Sequence, residues 1–377
     1  MASVYIHVPF CKSRCIYCDF YSTTLLPMRQ RYVDAVCKEM ELRKDYLHGD
    51  GISTIYFGGG TPSQLSTGQL KRILLYIYKV YSVSEDAEVT IEMNPDDVTA
   101  EYVDGLSRLP FNRVSLGIQT FDDNRLAFIQ RRHTAQQAID AVRLLQSAGY
   151  NNVSVDMMFG FPGQTLEQWE RDIDMALSMG VQHISAYSLM YEEGTKLHSM
   201  LAKGSIREVD EEVSLAMYQS LVGKLTTAGF LHYEISNFCQ PGCHSRHNSG
   251  YWNDTRYIGI GAGAHSYDGN SRQWNVSNLE KYVDAAEGGE LLFEQEVLSE
   301  TQRYNEFVMT RLRTSSGIDL AQLEKTFGTS RVDYCKEMAM PHIQNGNLAE
   351  DAFAGTLKLT KNGLFVSNQV MSDLMDV

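Results

Sequence analysis

Short β-branched runs alternate with longer segments of helical apolar spacing from the first residue to about Phe230. That alternation predicts repeated βα units around a parallel sheet. Strands are expected at Ser3 to Val8, Ser53 to Phe57, Glu88 to Met93, Arg113 to Ile118, Ser154 to Met158 and His183 to Ser188. Helices are expected between them, at Arg29 to Asp45, Thr67 to Tyr81, Ala135 to Ala148 and Leu166 to Met179. Gly149 and Gly180 directly follow two of these helices, where a left-handed terminal residue is common. About six strands suit a partial barrel better than a closed eight-stranded one. Nearly every unusual residue cluster here follows the end of a strand, and in parallel α/β barrels those loops converge on one face.

From Ser236 to Tyr267 the pattern becomes loop-like and rich in Gly, Asn, His, Tyr and Trp, a candidate functional insert. Helical spacing returns beyond Asn278. The tail reads as helices followed by the β-like Thr356-Leu357-Lys358-Leu359. The expected fold is therefore α/β: a partial (β/α)6 barrel over residues 1–235, a connector over 236–300, and a C-terminal mixed α/β, winged-helix-like domain over 301–377. A chain of 377 residues is long enough for such a division.

Composition narrows the function. The apolar fraction is 43%, with no run long enough for a membrane span. The start, Met1-Ala2-Ser3-Val4-Tyr5, has no basic leader or apolar stretch, so a cytoplasmic location is expected. A formal charge of -14 leaves no basic surplus for nucleic acid, which argues against the C-terminal domain as a nucleic-acid reader. Of seven cysteines, three fall within eight positions, which suits a metal or redox site better than a disulfide framework.

Cys11-Lys-Ser-Arg-Cys15-Ile-Tyr-Cys18 follows the first strand. A 4Fe-4S cube normally takes four cysteines, so a compact trio leaves one iron free for another ligand. A zinc site completed by His7 and unrelated buried thiols are the alternatives. Gly58-Gly59-Gly60 ends the second strand, where three residues without Cβ let backbone groups approach a ligand closely. Glu92, Gln119 and Asp156 stand at or near later strand ends and can converge on the same ligand.

The CxxxCxxC triad resembles that of radical-SAM proteins. Six further segments occur in the order found in the HemW heme chaperones, a branch related to oxygen-independent coproporphyrinogen III oxidase: Tyr5-Ile6-His7-Val8-Pro9, Gly58-Gly59-Gly60-Thr61-Pro62, Glu92-Met93-Asn94-Pro95, Gly117-Ile118-Gln119-Thr120-Phe121, Asp156 to Thr165, and His247-Asn248-Ser249-Gly250-Tyr251-Trp252. The resemblance spans almost the whole chain. It implies a radical-SAM barrel, a 4Fe-4S cluster on Cys11, Cys15 and Cys18, and an S-adenosylmethionine site drawing on Tyr5, Tyr17, Gly59, Gly60, Thr61, Glu92, Gln119, Arg131 and Asp156.

The His247 to Trp252 segment matches the HNxxYW signature of HemW, and imidazole is a common heme ligand. His247 is accordingly the first candidate for heme, with Cys243, His244 and His265 as competitors. The plain alternative is that His247 and Trp252 brace the junction between domains. The oxidase branch has a further cysteine two positions after the third ligand, where this chain has Phe20. The resemblance thus implies a chaperone that takes up heme and passes it to an acceptor hemoprotein, with homodimerisation left open. The alternative is a radical-SAM enzyme acting on a porphyrin.

Overall fold

The computed structural model describes residues 1–376. Its first half is a run of parallel strands in sequence order: β1 (Ala2–Val8), β2 (Ile52–Gly59), β3 (Val83–Met93), β4 (Arg113–Gln119), β5 (Val153–Phe159) and β6 (His183–Ser188). The helices α1 (Arg29–Leu42), α2 (Thr67–Val80), α3 (Ala100–Leu106), α4 (Asp123–Phe128), α5 (Ala135–Ser147) and α6 (Leu166–Ser178) lie in the crossovers. This is the partial (β/α)6 barrel that the alternation predicts. The third strand begins at Val83 rather than Glu88.

Local chemistry explains the crossovers. Helices α2, α5 and α6 each start with a capping box, Ser66 with Gln69, Thr134 with Gln137 and Thr165 with Gln168. Such a cap contributes about 1 kcal/mol. In α2 the buried positions Leu70, Ile73, Leu74 and Ile77 form one helical stripe against the sheet. Each such side chain contributes about 1.5–3 kcal/mol by leaving water. Gly149 and Gly180 take φ of 92° and 65°, ending α5 and α6 as expected.

Each strand presents two unlike faces. Val4, Ile6, Ile55, Phe57, Val89, Ile91, Val114 and Leu116 pack outward on the helices in one continuous core. The alternate positions, Ser3, Tyr5 and His7 on β1, Thr54 and Tyr56 on β2, and Glu88, Thr90 and Glu92 on β3, point into the lumen, because neighbouring residues of a strand face opposite ways. The lumen is therefore lined by polar and aromatic side chains together.

After α7 (Lys196–Ala202) and α8 (Glu211–Thr227), the chain adds β7 (Leu231–Glu234) and β8 (Asn237–Cys239) beside β6. It then forms α9 (Arg246–Tyr251) and β9 (Tyr257–Ile260), which pairs in parallel with β1. Antiparallel strands β10 (His265–Tyr267), β11 (Ser271–Asn275) and β12 (Phe293–Val297) follow, with α10 (Leu279–Glu287) inserted before the last. The segment expected to be loop-like is thus woven into one twelve-stranded sheet, joining it at both sides of the barrel.

The remainder holds α11 (Glu300–Leu312), β13 (Ile318–Asp319), α12 (Leu320–Phe327), α13 (Thr329–Gln344), β14 (Leu348–Asp351), β15 (Thr356–Leu359) and α14 (Ser367–Leu374). Its small sheet has the order β13-β15-β14. Tyr304, Phe307, Leu323, Cys335, Leu357, Val370 and Leu374 build a second core there, separate from the barrel's. Among the described residues no helix is long and apolar enough to cross a membrane.

Candidate functional site

One cavity of about 600 Å³ occupies the barrel lumen. Cys11, Cys15, Cys18, Gly59, Gly60 and Thr61 line it near the carboxyl ends of the strands, and Tyr5, Tyr56, Glu92, Ser115, Gln119, Arg131 and Asp156 lie along its walls. Tyr17, Met158, His247 and Tyr251 also border it. All thirteen residues proposed from sequence thus line one space, although not at one depth.

The three thiols sit in the irregular stretch after β1, part-exposed and unpaired. Among the described residues no fourth cysteine borders the cavity. Cys11 Sγ lies 3.5 Å from the Thr61 hydroxyl, and Arg131 Nη1 lies 3.7 Å from Cys15 Sγ. Burial raises the pKa of Cys11 and pushes Cys18 up to about 11, so as free thiols both hold their protons at neutral pH and metal binding must release them. Among the described residues, no three His, Cys, Asp or Glu side chains converge as a single ion would need. A cube takes its thiolates on separate irons, so that convergence is not required of it. His7, the alternative fourth zinc ligand, is otherwise engaged: Nδ1 accepts from the Tyr5 hydroxyl at 3.2 Å and Nε2 donates to the Tyr21 carbonyl at 3.0 Å.

A hub missed by sequence reasoning holds this loop. The buried Asp97 carboxylate accepts from Lys12 Nζ at 2.8 Å, from Ser63 Oγ at 2.8 Å and from Gln64 Nε2 at 2.5 Å. Arg132 lies 3.6 Å away. One side chain thereby ties the cysteine loop, the turn after β2 and the segment carrying Arg131. The only signal was its position just after the Glu92-Met93-Asn94-Pro95 run.

The glycines have packing reasons of their own. Gly59 has φ of 105°, and a Cβ there would sit 2.6 Å from the His7 ring. A Cβ on Gly60 would come within 2.8 Å of the Pro9 backbone. Their backbone still faces the cavity, but close approach of β1 and β2 already demands glycine. Gln119 and Gln130 hold positive φ, 70° and 60°, and both border the cavity. A left-handed non-glycine residue stores about 1–3 kcal/mol and clusters at functional sites.

The wall carries two carboxylates without a salt bridge among the described residues. Burial pushes Glu92 up to about 7; a 2.7 Å hydrogen bond from the Tyr56 hydroxyl opposes the rise and Asp156 adds to it. Burial also raises Asp156, tempered by Ser185 and by Ser115, whose hydroxyl lies 3.2 Å from both carboxylate oxygens. Arg131 is turned elsewhere, donating to Asn94 Oδ1 at 2.9 Å and to the Gly117 carbonyl, while its buried Nε has no partner. Two desolvated acids beside three thiols suit a ligand with a positive charge.

His247 is placed apart from the cysteines. It touches Thr54, near the start of β2, five residues before Gly59, or about 16 Å lower along the strand. Here α9 crosses the amino-terminal end of the barrel: its first amides, Arg246 N and His247 N, donate to the Glu88 carboxylate at 3.0 and 2.9 Å. The Thr54 hydroxyl gives its proton to Ser3, so His247 Nδ1 donates to Thr54 at 2.8 Å and Nε2 accepts from the Tyr251 hydroxyl at 3.0 Å. The ring is 1% exposed, stacks on Tyr56 at 4.9 Å, and is driven down to about 3 by burial. It is a neutral, doubly bonded side chain at the cavity floor. Trp252 faces the other way: Arg313 lies over its ring at 5.0 Å and Arg311 donates to its carbonyl. His244 and His265 are exposed, and Cys243 is part-exposed.

A model of the radical SAM superfamily matches residues 5–176, and one of the HemN C-terminal domain matches residues 298–366. The chain is 35% identical to the heme chaperone HemW of Bacillus subtilis, covering 98% of both chains. It is 36% identical to the HemW of Lactococcus lactis, covering 99% of this chain and 97% of that one. The chain belongs to the HemW family. Coproporphyrinogen III oxidase (HemN) from Escherichia coli shares the fold, with a TM-score of 0.84 and 21% identity over 99% of this chain and 89% of that one. Radical SAM membership implies S-adenosylmethionine and a 4Fe-4S cluster, and the cavity of this HemW-family chain has the donor set to fit them: three free thiols, an unsatisfied guanidinium nitrogen and two unpaired acids.

Proposed function

We propose that this chain is a heme chaperone that takes up heme and delivers it to an acceptor hemoprotein, while its barrel carries a cluster on Cys11, Cys15 and Cys18 with S-adenosylmethionine beside it. The full-length likeness to proteins named heme chaperones carries the reading. Tyr5, Tyr17, Gly59, Gly60, Thr61, Glu92, Gln119, Arg131 and Asp156 would hold the nucleoside ligand. Glu92 and Asp156 would face its cationic groups, and Arg131 would offset thiolate charge near Cys15. When bound and reduced, the cluster supplies an electron for cleavage of S-adenosylmethionine.

For the heme iron, access ranks the candidates. His247 Nε2 can serve only after leaving Tyr251 and after α9 shifts, whereas His244, His265 and Cys243 need no such exchange.

The test is anaerobic heme titration of the full chain, followed by absorbance, in wild type, in a Cys11→Ala, Cys15→Ala, Cys18→Ala triple variant, and in His247→Ala, His244→Ala and His265→Ala. Saturable one-to-one binding that survives the triple variant is expected, with the Soret band shifted by the ligand's own substitution. Absence of specific binding in wild type would remove the chaperone reading. Stoichiometric porphyrin consumption with 5'-deoxyadenosine formed would replace it with an enzyme.

A further inference from the structure

The twelve-stranded sheet has two ends, and the chain treats them differently. At one end, β7 is covered by the chain itself: Ile235 N donates to the Arg313 carbonyl and Ser315 N to the Tyr233 carbonyl, both at 3.0 Å, and Glu234 bridges Thr314. At the other end lies β12, with all five residues exposed. Val276 N donates to the Leu292 carbonyl at 2.9 Å and Leu298 N to the Asn270 carbonyl at 3.0 Å. In an antiparallel ladder the bonded pairs recur at every second residue, so Glu294 and Glu296 bond inward to β11. Phe293, Gln295 and Val297 then direct their N–H and C=O groups outward, and none has a backbone partner among the described residues.

Natural edges are usually blunted by lysine, proline, a bulge or a cover. Among the described residues this edge has no lysine, proline, bulge or cover, only two glutamates: Phe-Glu-Gln-Glu-Val runs in unbroken register with β11 and exposes Phe293 at 45% and Val297 at 78%. A second cavity, about 240 Å³, adjoins the edge and is lined by Leu42, Tyr46, Leu291 and Phe293 among others. It can take an apolar side chain from an added strand. The opposite face of β12 carries Glu294 and Glu296. The nearby cation Arg272 is neutralised by Glu306 at 2.9 Å. A second copy paired antiparallel about Gln295 would set Glu294 against Glu296, which like-charge repulsion opposes.

We propose that β12 is a docking strand for another protein, which adds an extended segment alternating basic and apolar residues. Backbone bonds to Phe293, Gln295 and Val297 give the affinity. Its cations meet Glu294 and Glu296, and an apolar side chain enters the cavity beside Leu42 and Tyr46.

The test uses the full chain and a fluorescein-labelled nonapeptide alternating lysine and valine, with a control in which glutamate replaces lysine. Saturable anisotropy change with the basic peptide alone is expected, together with slowed exchange of the Phe293, Gln295 and Val297 amides. Gln295→Pro removes an outward N–H and spares the backbone ladder to β11, losing on that side only the side-chain bond to Ser271, and should weaken binding about tenfold or more. Glu294→Lys with Glu296→Lys should do the same while preserving the backbone row. Binding that both variants leave unchanged, or no protection of the three amides, overturns the proposal. So does a mass doubling without peptide that Gln295→Pro abolishes, which would assign the edge to a second copy.

Discussion

Glu92 illustrates how a single side chain changes meaning once its surroundings are known. By sequence it was legible as a ligand-facing acid because it ends a strand, and the same logic found Gln119 and Asp156. Its missing counter-charge was not legible. The carboxyl titrates at an ordinary 4.5 when unfolded and at about 7 when folded, because burial disfavours the charge. Below pH 4.5 both states are protonated and no penalty arises. As pH rises towards 7 the unfolded chain sheds a proton that the folded chain keeps, so stability falls, and the loss is complete above about 7. Its upper bound is about 3 kcal/mol, lessened by whatever water fills the cavity. Glu92→Gln should therefore unfold at higher urea than wild type at pH 8 and match it at pH 4, while binding S-adenosylmethionine more weakly. Urea midpoints with the same pH dependence in both proteins would show that the penalty lies elsewhere.

The barrel strands were legible as elements for an unusual reason. Parallel strands buried on both faces normally read as continuous apolar runs. Here Ser3, Tyr5 and His7 alternate with Val4, Ile6 and Val8, because one face lines the lumen. The stretch from Ser236 to Tyr267 looks loop-like in sequence because its elements have three to six residues, too short for any period to register. They are fixed by distant partners instead. Helix α9 takes its end from Glu88, 158 and 159 residues away in the chain. Glu88→Ala leaves one buried and one part-buried amide without an acceptor and should cost about 1–3 kcal/mol. It should also loosen α9 selectively, with faster hydrogen exchange at Arg246 to Tyr251 while α2 and α5 stay protected. If heme reaches His247 by displacing this helix, Glu88→Ala will bind heme faster than wild type, and His247→Ala will cancel the gain. An unchanged rate would mean that heme enters without moving α9.

At the scale of the whole molecule, two cores meet along a seam that the sequence marked only as a change of pattern. The residues that make the seam are scattered: Glu234 and Tyr233 end the barrel half, Trp252 and Asp254 follow α9, and Arg311 to Ser315 end α11. Arg311 is 7% exposed and uses its planar fork twice, donating to the Trp252 carbonyl and to Asp254 Oδ2 at 2.7 Å. Arg313 makes no side-chain hydrogen bond among the described residues and adds a cation over the Trp252 ring and near the buried Glu234. The two arginines should therefore differ. Arg311→Ala takes the donor from the part-buried Trp252 carbonyl and leaves the exposed Asp254 to water, a loss of about 1–3 kcal/mol, whereas Arg313→Ala should cost about 1 kcal/mol or less. Arg311→Lys should not rescue, because one ammonium cannot span both acceptors. Calorimetry and Trp252-sensitive fluorescence can follow this together. For Arg311→Ala the fluorescence change should precede the main transition, with the core around Tyr304 and Leu374 opening ahead of the barrel. A single transition, shifted equally by both alanine variants, would mean that the seam is held by the backbone bonds of Ile235 and Ser315 and that its arginines are incidental.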